Sequence, residues 1–500
     1  MERQRLLSLL DKLVILLILV IAAALRSNLS YRTAFVDEAM NAYYGWQMLQ
    51  GIPTYIQDFH MGYAPLTQIP IAYMSRLGGV EHARALSAVL GVLSILFVML
   101  TARKVYGKVA SYIAGGMLAV FAPHIFISTF AHYDVWSVFF ASVALYLWVL
   151  AILNKVDVLL FFGSLMMTLG VLAKYAGVTI AALMVVYALG YAVLLWFGHA
   201  RRGHSVRESL CFSGDIMKKC LLFGAPFLIL VAYVLVFRES LQLALAQTVL
   251  TRRLASAEAR VEILTGFGRY IWLPLLVGLT SLFWRRRRAF SVAFLPIGLS
   301  MLVYHLANND TMQLHKHVNF MYVGLAPLAS GGIVLTVAAL LRGQAGETSR
   351  AGVSLLAGSL IIAYLAFFSY NELPELRSYW SDTTQLIAYL RENVRDGDLI
   401  LMEGGDVGRY YLIVKGEAGY IPEAVVDTWW YQDEEGEGKQ AYERGIRQKR
   451  FDFIVFDDKE TPAFNAQLRE LMEGRYRLEV SFPAFRYGSV GEITVYRPVP

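Results

Sequence analysis

Apolar residues in this chain are gathered into long, nearly unbroken runs. A helix needs about 20 mostly apolar residues to cross the hydrocarbon core of a bilayer. Eleven runs meet or approach that length: 6–25, 85–105, 109–130, 135–153, 157–173, 177–198, 219–237, 269–284, 289–306, 319–341 and 353–371. A further apolar stretch, Tyr63 to Gly79, is interrupted by Pro65 and Pro70 and reads as a re-entrant or interfacial segment. The first run has basic flanks but is long enough to span and lacks a small-x-small cleavage site, so it reads as a retained anchor.

Beyond residue 371 the pattern changes to short, mixed segments. Helical spacing is expected over 382–393, 440–450 and 464–472, and strands over 398–403, 451–457, 475–482 and 492–497, the last two as a hairpin. The acidic run from Asp433 to Gly438 reads as an exposed loop. Gly404-Gly405-Asp406-Val-Gly408 follows a strand but matches neither a dinucleotide nor a Walker motif, and reads as a turn. The expected fold is an α-helical polytopic membrane protein with about eleven transmembrane helices (1–371, first outer loop 26–84) and a C-terminal extracytoplasmic α/β domain (372–500).

Composition supports this division. Of the residues, 57% are hydrophobic and only 17% charged, against about 25% charged in soluble proteins. From Glu372 onward there are 24 acidic and 16 basic residues, a net of −8, which leaves +14 for the part before it. With the N-terminus in the cytoplasm, Arg103, Lys104, Lys108, Lys155, Arg201, Arg202 and the run Arg285–Arg288 all fall in cytoplasmic loops. The basic balance therefore requires no nucleic-acid partner. Eleven spans then put the C-terminal domain outside a plasma (inner) membrane. The two cysteines, Cys211 and Cys220, support no disulfide framework.

The same orientation gathers Asp37, Glu38, Asp58, His60, His132, Asp134, Lys174, Arg269, His315, Lys316 and His317 on the outer face. Acids and bases distant in sequence would meet at one surface, as in a site built from loops. Bland readings exist for each. Asp134 could cap a helix, and Lys174 could snorkel to the interface. Tyr43, Tyr44 and Trp46 suit an aromatic belt. His315-Lys-His317 has the composition of a metal site but no third ligand at a telling spacing, so no metal or other cofactor is indicated. Arg252 and Arg253 lie in a loop that could reach a phosphate.

Taken in order, Asp37-Glu38, Gly51, Pro53-Thr-Tyr55, Pro65-Leu66, Tyr133-Asp134, Gly170-Val-Leu-Ala-Lys174-Tyr-Ala-Gly177 and His315-Lys-His-Val-Asn319 with Ala326-Pro327 resemble the GT-C glycosyltransferases. The nearest branch is the protein O-mannosyltransferase and aminoarabinose-transferase-like one. One departure is Gly62-Tyr63-Ala64-Pro65, where relatives often carry a basic residue and a Pro-Pro pair; His60 is the nearest substitute. The resemblance implies an inverting hexosyl- or pentosyltransferase that uses a polyprenyl-phosphate sugar in the membrane lipid and an acceptor the sequence does not identify. It implies Asp37 as the base, with Glu38 beside it in the catalytic pair as a support. It also implies that Asp134, Lys174, His60, His315, Lys316 and His317 bind substrate, and Arg269, placed like Arg252 and Arg253 where it could reach a phosphate, is added to that set by position. The rival class is a transporter or flippase of lipid-linked glycans, which calls for broken helices paired in an inverted repeat.

Overall fold

The computed structural model describes residues 2–52, 65–200, 206–236, 256–311, 313–414, 424–428, 431–486 and 488–500. Helix α1 (Glu2–Leu25) is followed by α2 (Val36–Gln50) and α3 (Pro65–Gly78) in the first loop. Then come α4 (Val80–Tyr106), α5 (Lys108–Val120), α6 (Ala122–Ser128), α7 (Tyr133–Asn154), α8 (Val158–Ala173), α9 (Gly177–Ala200), α10 (Val206–Gly224) and α11 (Leu228–Val236). The membrane part closes with α12 (Ala257–Leu279), α13 (Arg288–Asn308), α14 (Leu314–Leu340) and α15 (Glu347–Arg377). Among the described residues, eight helical spans are long and apolar enough to cross a membrane, or nine if the bent pair α5–α6 counts as one. Helix α8 and the Gly177–Gly190 part of α9, apolar over a shorter length, account for the two remaining runs. The chain is an integral membrane protein.

The interrupted stretch forms a helix from Pro65 with Pro70 inside it; Tyr63 and Ala64 lie outside the described residues. It packs against α2 at Gly45, where an added Cβ would come within 2.1 Å of the Gln68 carbonyl oxygen. Only glycine allows that approach.

Between α5 and α6 the axis bends by 68°. Phe121 is extended there, and Pro123 starts the next helix. A break frees carbonyls that must be paired when buried. The fully buried Arg26 supplies the pairing, donating to Leu118 O at 3.2 Å and Ala119 O at 3.1 Å. The helix α14 is buried without interruption from Lys316 to Ile333 and forms the axis of the bundle.

After α15 come α16 (Thr384–Asn393), β1 (Ile400–Met402), α17 (Gly405–Arg409), β2 (Val425–Asp427), β3 (Gln432–Asp433), β4 (Gly436–Glu437), α18 (Lys439–Arg447), β5 (Phe453–Phe456), α19 (Pro462–Met472), β6 (Tyr476–Arg486) and β7 (Ser489–Pro498). The main sheet has the order β2-β1-β5-β7-β6, with β2, β1 and β5 parallel and β5, β7 and β6 antiparallel. The expected α/β character and closing hairpin are present, together with a short strand, β2, that the pattern does not announce. The acidic run is not the free loop expected. It forms the small hairpin β3–β4, pinned by Arg444 on Asp433 at 2.5 Å.

The first loop does not stand apart from this sheet. Ala34, Ala39, Ala42 and Tyr43 share one apolar core with Ile71, Val80, Ala83, Leu386, Leu390, Met402, Val407, Tyr410 and Val455. Across that seam Arg32 donates to Trp380 O at 2.6 Å and Phe485 O at 2.5 Å, and Ala34 N donates to the Tyr411 hydroxyl at 2.8 Å.

Candidate active site

Asp37 and Glu38 occupy the first turn of α2 and face opposite ways. Glu38 is buried and receives four N–H donors. These are Phe35 N at 3.0 Å, Ala131 N at 2.7 Å, Arg84 Nε at 2.8 Å and Arg84 Nη2 at 2.6 Å. The same guanidinium donates to the carbonyls of Leu29, Arg32 and Thr33. Glu38 thus ties α2 to α4 and to the segment before α7. Asp37 keeps 32% of its side chain exposed, and its Oδ2 lies 2.6 Å from Lys316 Nζ.

Two further elements converge on that pair. At the start of α7, Asp134 is fully buried. Its Oδ2 takes a hydrogen bond from His132 Nδ1 at 2.5 Å and its Oδ1 one from Lys174 Nζ. No oxygen is turned to capping the helix; the N-cap, His132, makes no side-chain cap either. Lys174 ends α8 in extended conformation, 3% exposed, and does not reach for the interface. The carbonyl of Gly170, one turn back, accepts from Ser137 Oγ at 2.7 Å, which fixes the α7–α8 contact. Lys316 itself comes from the start of α14. There Gln313 is left-handed (φ 59°), and Asn319 holds the turn by donating to His315 O and Lys316 O at 3.0 Å.

The result is one charged cluster of Asp37, His132, Asp134, Lys174, His315 and Lys316, whose members act electrostatically on one another. Burial pushes the Asp37 carboxyl up, but Lys316 and His132 outweigh it and hold it at about 2. Burial pushes the His132 imidazole below its ordinary value, although Asp134 pulls the other way. From the C-terminal region Asp406 approaches the same face, paired with Arg409 at 2.8 Å. Burial raises its carboxyl, and the charge of Asp37 adds to that.

The other expected residues are placed differently. Arg269 lies on α12 with Glu372 4.0 Å away, beside Glu258 and Glu262 on a groove of about 740 Å³; its ion pair is with Glu372 and its ring contact with Tyr270, neither a member of the cluster. His60, Arg252 and Arg253 lie outside the described residues. His317 is buried beside His305, 2.8 Å away. The glycine-rich stretch is not merely the turn expected: from Gly405 it forms helix α17, and Gly405 N donates to Asp427 Oδ2 at 2.6 Å, so that amide is already taken. Among the described residues no three His, Cys, Asp or Glu side chains are placed to hold a metal ion. Sequence reading gave no role to His132, Arg84 or Asp406. His132 had a signal, standing two residues before Asp134 on the face already singled out; the other two had none.

A partly exposed carboxylate paired with one lysine, with a second lysine held by Asp134 in the same cluster, can accept a proton while neighbouring cations hold an anion. Residues 64–229, about a third of the chain, match the family model described as dolichyl-phosphate-mannose-protein mannosyltransferase. No curated protein is similar in sequence. The fold matches ArnT from Cupriavidus metallidurans in the apo state, with TM-score 0.55 and 12% identity over 99% of this chain and 98% of that one. The same protein bound to undecaprenyl phosphate matches with TM-score 0.55 and 14% identity, over 96% and 97%. The apo oligosaccharyltransferase of Archaeoglobus fulgidus matches with TM-score 0.54 and 16% identity, over 96% and 74%.

Proposed function

We propose that this chain is an inverting glycosyltransferase of GT-C type taking a sugar from a polyprenyl-phosphate donor, a reading supported by the family match over residues 64–229 and by the shared fold. The observation that carries the reading is the Asp37–Lys316 pair at 2.6 Å beside Asp134 and Lys174. It combines a carboxylate base with two ammonium groups for a phosphate.

The acceptor is a hydroxyl of a protein, lipid or glycan. Its oxygen attacks the anomeric carbon as its proton passes to Asp37. The bond from that carbon to the phosphate oxygen breaks, and the electron pair leaves with the polyprenyl phosphate. Lys316 and Lys174 balance the charge on that leaving group. It is already anionic and needs no general acid, so one carboxylate suffices and the configuration inverts. His132 and Asp134 position Lys174. Glu38 keeps α2 in place and does not touch substrate, while His315 borders the phosphate. We place the reaction at the outer face of a plasma membrane. Residues 372–500 form the extracytoplasmic domain over the site, and Asp406 and Arg409 face the acceptor.

A flippase calls for broken helices paired by an inverted repeat; among the described residues one pair is bent at a break. The test is transfer of labelled sugar from hexosyl and pentosyl esters of undecaprenyl phosphate by reconstituted protein. Asp37→Asn should bind donor as wild type does and lose transfer by about 10²- to 10⁴-fold. Normal turnover in that variant refutes the assignment of the base.

A further inference from the structure

His317 follows Lys316 on α14 and is 2% exposed. Its Nδ1 lies 2.8 Å from Nε2 of His305 on α13, and His305 Nδ1 meets the carbonyl of Asp310. A carbonyl can only accept, so His305 Nδ1 carries the hydrogen. In a neutral imidazole the other nitrogen then has the lone pair. His305 Nε2 is therefore an acceptor, and His317 Nδ1 must be the donor. The same rule, applied once more, leaves His317 Nε2 with a lone pair.

That atom is fully buried and has no hydrogen-bond partner among the described residues. Native interiors leave few such atoms, and each needs a reason. Phe320, nearly one turn along, has its ring 6.2 Å from the His317 ring and 6.0 Å from Lys174 Nζ. The charged groups acting on His317 include Lys174, Asp134 and Lys316, all members of the cluster.

We propose that His317 Nε2 accepts a hydrogen bond from a hydroxyl of the transferred sugar, and that His305 is the positioning residue that sets its tautomer. The inference rests on the donor reading above and deepens it. An ionised phosphate only accepts, so it cannot satisfy this atom and falls to the two lysines. A sugar hydroxyl is the donor that a glycosyl phosphate offers. His317 therefore reads the sugar and not the phosphate.

The test is binding by the purified full-length protein of undecaprenyl phosphate and of a panel of its hexosyl and pentosyl esters. Wild type should bind one ester more tightly than the bare lipid phosphate. His317→Phe should lose roughly tenfold of that preference while keeping its affinity for the bare lipid, which also serves as the check on folding. His317→Gln, whose amide oxygen can reach the place of Nε2, should keep most of the preference. His305→Phe should lose part of it. Equal weakening for both lipids in His317→Phe, or no change in either, overturns the proposal. If the bare lipid alone weakens, His317 is a phosphate ligand and the proposal is equally overturned. Failure of wild type to bind any of these lipids instead refutes the donor reading, and this inference falls with it.

Discussion

The division of labour between Asp37 and Glu38 can be tested at Glu38. Four N–H donors converge on its two oxygens, two on each: Arg84 Nε and Ala131 N on Oε1, Arg84 Nη2 and Phe35 N on Oε2. In Glu38→Gln the amide nitrogen faces two donors whichever way the group turns. At least two bonds are lost, at about 1–3 kcal/mol each. The buried Arg84 also loses its counter-ion, and breaking one side of such a pair costs about 3–5 kcal/mol. These are two views of one perturbation, and they agree on about 3–5 kcal/mol. The thermal midpoint of the purified protein, followed by tryptophan emission at fixed lipid, should fall by on the order of 3–5 °C. Arg84→Met should behave similarly. Whatever Glu38→Gln remains folded at low temperature should still transfer sugar. A variant that melts like wild type but transfers nothing would refute the structural role and put Glu38 in the chemistry.

The carboxyl of Asp37 lies at about 2, below its ordinary 3.8. Its contribution to stability is therefore present above about pH 4 and lost as pH falls towards 2. The melting temperature of wild type minus that of Asp37→Asn should shrink over that window, and a flat difference counts against the ion pair. Gly45→Ala should lower expression and melting temperature, because the clash at 2.1 Å is with backbone that no rotamer can clear; a variant as stable as wild type shows that α2 and α3 can part. Lys316→Met should weaken binding of undecaprenyl phosphate and reduce transfer at least 100-fold, while a change in neither moves the phosphate away from α14.

The membrane part was legible because burying a helix in lipid demands long apolar runs that nothing else in the pattern imitates. Asp37 stood out as a charge just past such a run, and Asp134 and Lys174 stood at the ends of others. Their pairing was not legible. Lys316 meets Asp37 across 279 residues, and no local spacing encodes that contact. Arg84 was hidden for another reason: at the start of a span an arginine ordinarily belongs to the water-facing flank, yet here it is fully buried on Glu38. Strand β2 has three residues, too few to show a period.

The apolar seam joining Ala34, Ala42 and Tyr43 to Met402, Val407 and Val455 constrains how such a protein can be re-engineered or diverge. Two stretches more than 300 residues apart form a single inheritance unit, since exchanging one without the other mismatches both surfaces. A chimaera that grafts a foreign C-terminal region should misplace Asp37 unless residues 31–83 travel with it.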